Sequence, residues 1–361
     1  MKAAKRRTFA TLDGLRGLAA LLVVYHHQHL AGINGAPPSA YLAVDLFFLM
    51  SGFVIAHAYE DKLSSGMAPL AFMRLRLIRL YPLYLLGSVV GLGVALAFWR
   101  LSAVHPTNLA ELVRVTMLGL VMAPTFSPDA TVMAFPLNGP AWSLFFELGV
   151  NLIYAVAAVR LSSRWLSLTC AACAGVMAIL ALRGNDLNVG FQTLSFLWGV
   201  PRVALSFFAG VLIYRLHRSG KLPRIAVSPL WALVLALGLI AAPIEVGPIG
   251  ALVVVTVGFP MVLLLAVCAE EPASGLARPF ALLGEASYPL YAIHGPIVVG
   301  LMMASRFWGW DLPGVRLEVA FALPLALSAV ALVLSRRFDQ PIRAWLGRIG
   351  APALCSVPLP A

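Results

Sequence analysis

Ten apolar runs, each about twenty residues long, follow one another along the 361-residue chain. An α-helix needs a run of this length to cross about 30 Å of hydrocarbon. Because 61% of the residues are hydrophobic and only 11% are charged, against roughly 25% charged in soluble domains, a soluble globule is excluded. The sequence therefore predicts an all-α, polytopic membrane protein with about ten transmembrane helices. The predicted spans are Thr11–Leu30, Tyr41–Tyr59, Pro82–Trp99, Pro140–Val159, Trp165–Leu182, Phe191–Tyr214, Ser228–Pro243, Pro248–Cys268, Tyr288–Ser305 and Glu318–Ser335.

The basic residues lie mainly on one side of this predicted membrane protein. With the N-terminus inside, 19 of the 26 Lys and Arg residues fall in cytoplasmic segments, five in external segments and two, Arg16 and Arg202, within spans. This excess predicts that both termini are cytoplasmic. The net charge of +11 therefore reflects membrane topology, and no nucleic-acid partner is expected. Residues 1-340 are expected to form the transmembrane domain and residues 341-361 a short cytoplasmic tail.

Two segments of the chain allow more than one interpretation. The apolar stretch Asn108–Pro124 is a candidate span, but counting it would place the later basic loops outside the cell. We therefore expect an interfacial or re-entrant helix there. The basic N-terminus followed by an apolar run also resembles a secretory signal. Asp13 and Arg16 at the start of that run favour a retained first helix instead.

Ionisable side chains within the predicted spans are few, and each is a functional candidate because a charge in hydrocarbon is costly. Arg16 and His27 are eleven residues apart, about 1100° of helical rotation, so they share one helix face about 16 Å apart along the axis. This spacing predicts that both side chains face one groove, at two different depths. His26 points about 100° away from that face and is the poorer candidate.

Two carboxylates are expected near His27. Asp45 and Glu147 are predicted to enter their helices from the outside, at a depth similar to that of the histidine. A histidine with one or two carboxylates is typical of a general-base site. Three such residues can equally form a structural hydrogen-bond network, and Arg16 can snorkel to the inner interface.

A cluster of arginines precedes the third predicted span. If the segment Phe72–Pro82 is helical, Arg76 and Arg79 are i, i+3 neighbours on one side. Their planar guanidinium groups suit the oxygens of a phosphate-rich cytosolic ligand. Anchoring to anionic lipid headgroups is the alternative. The sequence carries no zinc signature, so no metal is expected.

Five stretches of the sequence carry a resemblance to a known family. They are Leu12–Ala20 continuing to His27, Val44–Phe53, Arg76–Pro82, Trp142–Glu147 and Gly284–His294. In this order, and over nearly the whole chain, they resemble the acyltransferase-3 family of integral membrane acyltransferases. That family includes O-antigen acetylases, nodulation-factor acetyltransferases and macrolide acyltransferases.

The resemblance implies ten membrane helices and transfer of an acyl group, usually acetyl from acetyl-CoA, to a hydroxyl. The implied acceptor is a carbohydrate, a glycolipid or a similar small molecule, and the implied location is the bacterial cytoplasmic (inner) membrane. Because the chain ends soon after the last span, we expect the stand-alone form without a fused extracytoplasmic hydrolase-like domain. Leu75 stands where many relatives have another arginine, and Arg74 is displaced by one position.

The resemblance also implies roles for particular residues. Arg16 and His27 are the arginine and histidine that the family spaces with ten residues between them. We expect His27 to act as general base, with Asp45 or Glu147 fixing its tautomer, and Arg16 either to stabilise charge near the thioester or to steer the donor.

The remaining expectations concern the donor and an alternative function. Arg76 and Arg79 are expected to bind the phosphates of acyl-CoA, and His294 in the ninth span is a further site candidate. The alternative is a proton-coupled transporter or flippase in which His27, Asp45 and Glu147 form a proton relay.

Overall fold

The computed structural model describes residues 9–30, 32, 37–101, 108–129, 131–158, 160–241, 246–309 and 316–349. Within these ranges the chain is helical, and an isolated bridge between Met133 and Gln192 is the extended pairing there. The helices are α1 Ala10–Leu30, α2 Ala43–Ser64, α3 Pro69–Leu101, α4 Leu109–Leu120, α5 Ala141–Ala157, α6 Ser163–Leu182, α7 Gly199–Arg218, α8 Leu230–Ala241, α9 Gly247–Val253, α10 Phe259–Cys268, α11 Ser274–Trp308, α12 Arg316–Leu334 and α13 Gln340–Arg348.

Seven helical stretches in the described part of the chain are long and apolar enough to cross a membrane. Two further apolar helices, α5 and α8, are shorter. The all-α membrane class is thereby confirmed, whereas the count of ten spans and the side of each terminus stay predictions. The seven stretches are Ser39–Ser64, Pro69–Leu101, Ser163–Leu182, Phe196–Arg218, Gly247–Cys268, Ser274–Trp308 and Val319–Arg348.

The ambiguous segment Asn108–Pro124 forms only the twelve-residue helix α4. At 1.5 Å per residue this helix is about 18 Å long, which is too short to cross about 30 Å of hydrocarbon. The side chain of Asn108 caps its N-terminus. Tyr81 and Tyr84 of α3 donate hydrogen bonds to backbone carbonyls in its last turn. Its length and its docking on α3 support the prediction of a helix that does not span.

The centre of the bundle is built by close helix pairs, chiefly α1 with α11, α2 with α7 and α3 with α11. Glycine makes the α2–α7 pair possible. A Cβ atom at Gly52 would lie 1.9 Å from the backbone oxygen of Phe207, and one at Gly210 would lie 2.0 Å from that of Leu49. Small residues that let helix backbones touch are a common packing device in membranes.

The first part of the predicted cytoplasmic tail is helical. After α12, a π-helical turn at Ser335–Asp339 leads into α13, so residues 340–348 are helical and pack on α3. Residues 350–361 of the predicted tail lie outside the described residues, as do the basic residues at positions 2, 5, 6 and 7.

Candidate active site

Two cavities lie within the bundle, and we name them by the predicted topology. The outer cavity, of about 260 Å³, is lined by residues near the C-terminal end of α1, by α3 and by α11. The inner cavity, of about 380 Å³, is lined by the start of α1, by α2, by the start of α3 and by α5 and α11. Val44 lines both. The cavities are therefore neighbours along the predicted membrane normal.

Arg16 and His27 occupy different cavities. Arg16 lines the inner cavity, and Asp13 lies one turn away on the same helix, with 3.8 Å between Arg16 Nη1 and Asp13 Oδ1. His27 lines the outer cavity together with His26. The two side chains therefore lie at different depths, as expected, but in two adjacent cavities and not in one groove.

Charged side chains are concentrated around the inner cavity. Among the described residues that line it, five are basic and two are acidic, which leaves a formal excess of three positive charges. The basic residues come from four different helices, α1, α2, α3 and α13. These residues are Arg16, Lys62, Arg76, Arg79 and Arg343, and the acidic ones are Asp13 and Glu147.

Glu147 belongs to this inner cavity and does not lie beside His27. Its Oε1 accepts hydrogen bonds from Arg76 Nη2 at 2.8 Å and from Ser51 Oγ at 2.9 Å. Arg76 Nε is buried without a hydrogen-bond partner among the described residues. The predicted contact of Glu147 with the histidine is therefore absent, and the carboxylate instead orients an arginine.

Arg79 differs from Arg76 in its surroundings. Its side chain lines the inner cavity, yet it forms no ion pair or hydrogen bond with the described residues. A guanidinium group inside a membrane protein is costly unless an anion or polar partner accompanies it. Together, Arg76 and Arg79 present unused N–H donors in a cavity with excess positive charge, which is an arrangement suited to an anionic ligand.

His27 contacts a second histidine, His294 of α11. His27 Nδ1 lies 2.9 Å from the Val23 carbonyl oxygen and 3.3 Å from His294 Nε2. The two rings meet edge to face, with centroids 4.7 Å apart. His294 is completely buried, and its Nδ1 lies 2.9 Å from the carbonyl oxygen of Tyr291.

This network fixes the tautomers of both neutral rings. A carbonyl oxygen only accepts, so His294 Nδ1 carries a proton and its Nε2 keeps a lone pair. His27 Nδ1–H then donates toward the Val23 carbonyl and His294 Nε2. The lone pair of His27 lies on Nε2, for which the described residues provide no hydrogen-bond partner. His27 thus has the form that a general base requires.

Asp45 does not contact His27 either. It forms a buried ion pair with Arg202 of α7, with 2.7 Å between Arg202 Nη2 and Asp45 Oδ2 and 3.0 Å between Arg202 Nε and Asp45 Oδ1. The guanidinium group also lies against the rings of Tyr41 and Trp142, which line the outer cavity. Asp45 therefore supports the wall of that cavity, and His294 occupies the place next to His27 that the sequence assigned to a carboxylate.

A thin layer separates the two cavities. Ser143 and Tyr291 line the inner cavity from above, and their hydroxyl oxygens are 2.6 Å apart. The backbone carbonyl of the same Tyr291 accepts from His294, so this residue links the roof of the inner cavity to the histidine pair. Sequence reasoning did not single out either hydroxyl residue, although both lie within the stretches Trp142–Glu147 and Gly284–His294 that carried the resemblance.

Comparison with known proteins identifies the family of the chain. A family model described as an acyltransferase domain, acyltransferase-3, matches residues 9–335. The acyltransferase MdmB of Streptomyces mycarofaciens is 27% identical, over 94% of this chain and 92% of that protein. "Protein 2 in picA locus" of Rhizobium radiobacter is 39% identical, over 48% of this chain and 94% of that protein. No solved structure matches the chain. The chain is an integral membrane protein that belongs to the acyltransferase-3 family of membrane acyltransferases.

Proposed function

We propose that this protein transfers an acyl group, acetyl in the simplest case, from acyl-CoA to a hydroxyl group of an acceptor. The donor enters the inner cavity, and the acceptor occupies the outer cavity. The observation that carries the proposal is the arginine cluster of the inner cavity, in which Arg79 forms no hydrogen bond or ion pair with the described residues. We place the protein in the bacterial cytoplasmic membrane, with the inner cavity facing the cytosol that supplies acyl-CoA.

The donor site is built for phosphate. Arg76 and Arg79 offer forked N–H donors that match phosphate oxygens, and Arg16 adds a third positive charge on the same cavity. Helix geometry separates Arg16 from His27 by about 16 Å. The extended pantetheine arm of CoA spans this interval, which brings the thioester past Tyr291 toward His27.

The transfer itself needs one base. The acceptor oxygen attacks the thioester carbonyl carbon, so that a C–O bond forms and the C–S bond breaks. His27 Nε2 takes the hydroxyl proton and passes it to the departing CoA thiolate. The resulting imidazolium keeps its Nδ1–H bond to the Val23 carbonyl and to the lone pair of His294. Arg16 steers the donor by charge from the cavity below.

The outer cavity supports a particular kind of acceptor. Among its described lining residues none is Asp, Glu, Lys or Arg, and most are apolar. A buried hydroxyl without a hydrogen-bond partner costs roughly 1–3 kcal/mol, so a sugar enclosed on all sides is disfavoured here. We therefore propose an acceptor that presents its hydroxyl on an apolar body, such as a glycolipid or a largely apolar ring compound, rather than a free polar sugar.

A transfer assay tests the proposal. Purified protein in nanodiscs is supplied with radiolabelled acetyl-CoA and a lipid and glycan extract, and label in the acceptor fraction is measured. General-base help is typically worth 10²–10⁴-fold, so His27→Ala should lose at least a hundredfold in kcat. His29→Ala, an exposed histidine outside both cavities, is the matched control and should retain activity.

Two outcomes would contradict the proposal. Near-wild-type transfer by His27→Ala would show that this histidine is not the base. The second outcome is folded wild-type protein that releases no CoA with any extract. If such protein also moves a solute across the proteoliposome membrane without acyl-CoA, the result supports the transporter alternative.

A further inference from the structure

The helix α13 lies beyond the family match, which ends at residue 335, yet it returns to the inner cavity. Its residue Arg343 lines that cavity together with Arg16, Arg76 and Arg79. Four guanidinium groups from three helices thus surround one space. Asp13, Glu147 and Asp339 offset part of the mutual repulsion of these groups, and the positive charge that is left over favours a multiply charged anion as the ligand.

The helix α13 lies at the surface of the described structure. None of its residues is buried, and Trp345 is 59% exposed. Polar contacts at both of its ends connect it to its neighbours, and these contacts bear on where Arg343 lies.

At the C-terminal end, Arg74 of α3 holds the helix. Arg74 Nη2 donates to the backbone carbonyl of Leu346 at 3.2 Å and also to that of Ile349. The last carbonyls of a helix have no intrahelical donor, and a basic side chain there satisfies them and interacts favourably with the helix dipole. Arg74 does not line the inner cavity, although Arg76 and Arg79 on the same helix do.

At the N-terminal end, Asp339 orients Arg343. Asp339 is only 3% exposed, and its Oδ2 accepts from Arg343 Nη1 at 3.2 Å. This single contact fixes the direction of the guanidinium group while its remaining N–H donors have no partner among the described residues. Arg343 is therefore held at the cavity with donors to spare.

We propose that α13 completes the donor site: Arg343 binds a phosphate of CoA beside Arg79, and Arg74 is a positioning residue that holds α13 against α3. This inference rests on the proposed function, because it takes CoA as the ligand of the inner cavity. It assigns a binding role to a segment outside the region that defines the family.

The test measures the KM for acetyl-CoA and, independently of turnover, the Kd of CoA by isothermal titration calorimetry, on the full chain in nanodiscs. Loss of one charge-assisted hydrogen bond should raise both constants about tenfold in Arg343→Gln, with kcat within about twofold of wild type. Arg343→Lys keeps the charge without the fork and should restore part of the affinity. Arg348→Gln, the same change at an exposed position of the same helix, should leave both constants unchanged.

A double-mutant cycle separates positioning from general stability. Arg74→Gln alone should raise the Kd of CoA several-fold. In the Arg343→Gln background, Arg74→Gln should raise the Kd of CoA little further, because both substitutions remove the same contact, that of Arg343 with the phosphate. Additive effects would overturn the positioning role of Arg74.

Failure of this inference is distinguishable from failure of the proposed function. If Arg79→Gln weakens CoA binding but Arg343→Gln does not, the donor site stands and α13 is not part of it. If wild-type protein binds no CoA, the proposed function itself fails. An Arg343→Gln variant that melts earlier but binds CoA normally would assign the Asp339 pair to stability alone and would overturn the inference.

Discussion

The two cavities, of about 260 Å³ and about 380 Å³, are opposite in chemistry. The inner cavity has five basic and two acidic lining residues, whereas the described lining of the outer cavity includes no charged side chain. The difference teaches which substrate each can hold, because a phosphate needs cationic donors and an apolar body needs none. His27 lines the outer cavity, and its neighbour His294 bonds to the backbone of Tyr291, whose side chain lines the inner one. We therefore expect changes on one side to affect one substrate and leave the other alone.

After His27 itself, the largest effect is expected at its neighbour His294. His294→Leu removes one of the two acceptors of His27 Nδ1–H and leaves the Val23 carbonyl, so the imidazolium formed during transfer loses a hydrogen bond. A bond to a charged group is worth about 1.5–3 kcal/mol, which corresponds to roughly a 10- to 150-fold fall in kcat. The KM for acetyl-CoA should stay unchanged.

A conservative substitution sharpens this experiment. In His294→Gln the amide oxygen can still accept from His27, so part of the rate should return. If the Leu and Gln variants are equally slow, His294 fills space and does not fix the tautomer.

A smaller effect, confined to the donor, is expected in the inner cavity. Arg79→Gln removes a cationic donor that has no partner among the described residues, and we expect the KM for acetyl-CoA to rise about tenfold. The KM for the acceptor should not change. Arg337→Gln, an exposed arginine outside both cavities, is the control for overall charge. An unchanged KM for acetyl-CoA in Arg79→Gln would favour the lipid-anchor interpretation of this arginine.

The smallest effect is expected in the outer cavity, for each methylene group added to the acceptor. Each methylene group buried against an apolar wall contributes about 0.8 kcal/mol, so kcat/KM should rise about fourfold per added methylene along a series of primary alcohols. The rise should end where the chain fills the cavity. If glucose is a better acceptor than such alcohols, the outer cavity does not favour apolar acceptors, and the contrast drawn between the two cavities is wrong.

Separation along one helix is easier to predict from a sequence than contacts between helices. Arg16 and His27, eleven residues apart on α1, line two different cavities, as the regular rise of a helix leads one to expect. The same reasoning could not predict which side chain pairs with Asp45. Arg202 comes from a helix 157 positions further along the chain, and rotation about a helix axis is set only by packing.

The position of Glu147 was predicted wrongly because the path of the loop before α5 could not be inferred from the sequence. The sequence suggested that its helix starts at the outer surface, near the level of His27. Five residues of the preceding loop instead line the outer cavity, so the loop enters the bundle and α5 begins below it, at Ala141. These residues are Met133, Pro136, Leu137, Gly139 and Pro140. The carboxylate is thereby carried to the inner cavity. Composition gave no sign that these loop residues lie inside the protein.

Val44 lines both cavities, so at this point the wall between them is one side chain thick. A cell membrane holds an ion gradient, and a continuous water-filled path through the protein would dissipate it. Valine offers no group that can pass a proton. In the proposed function the acyl group must therefore pass this partition without opening such a path through the protein.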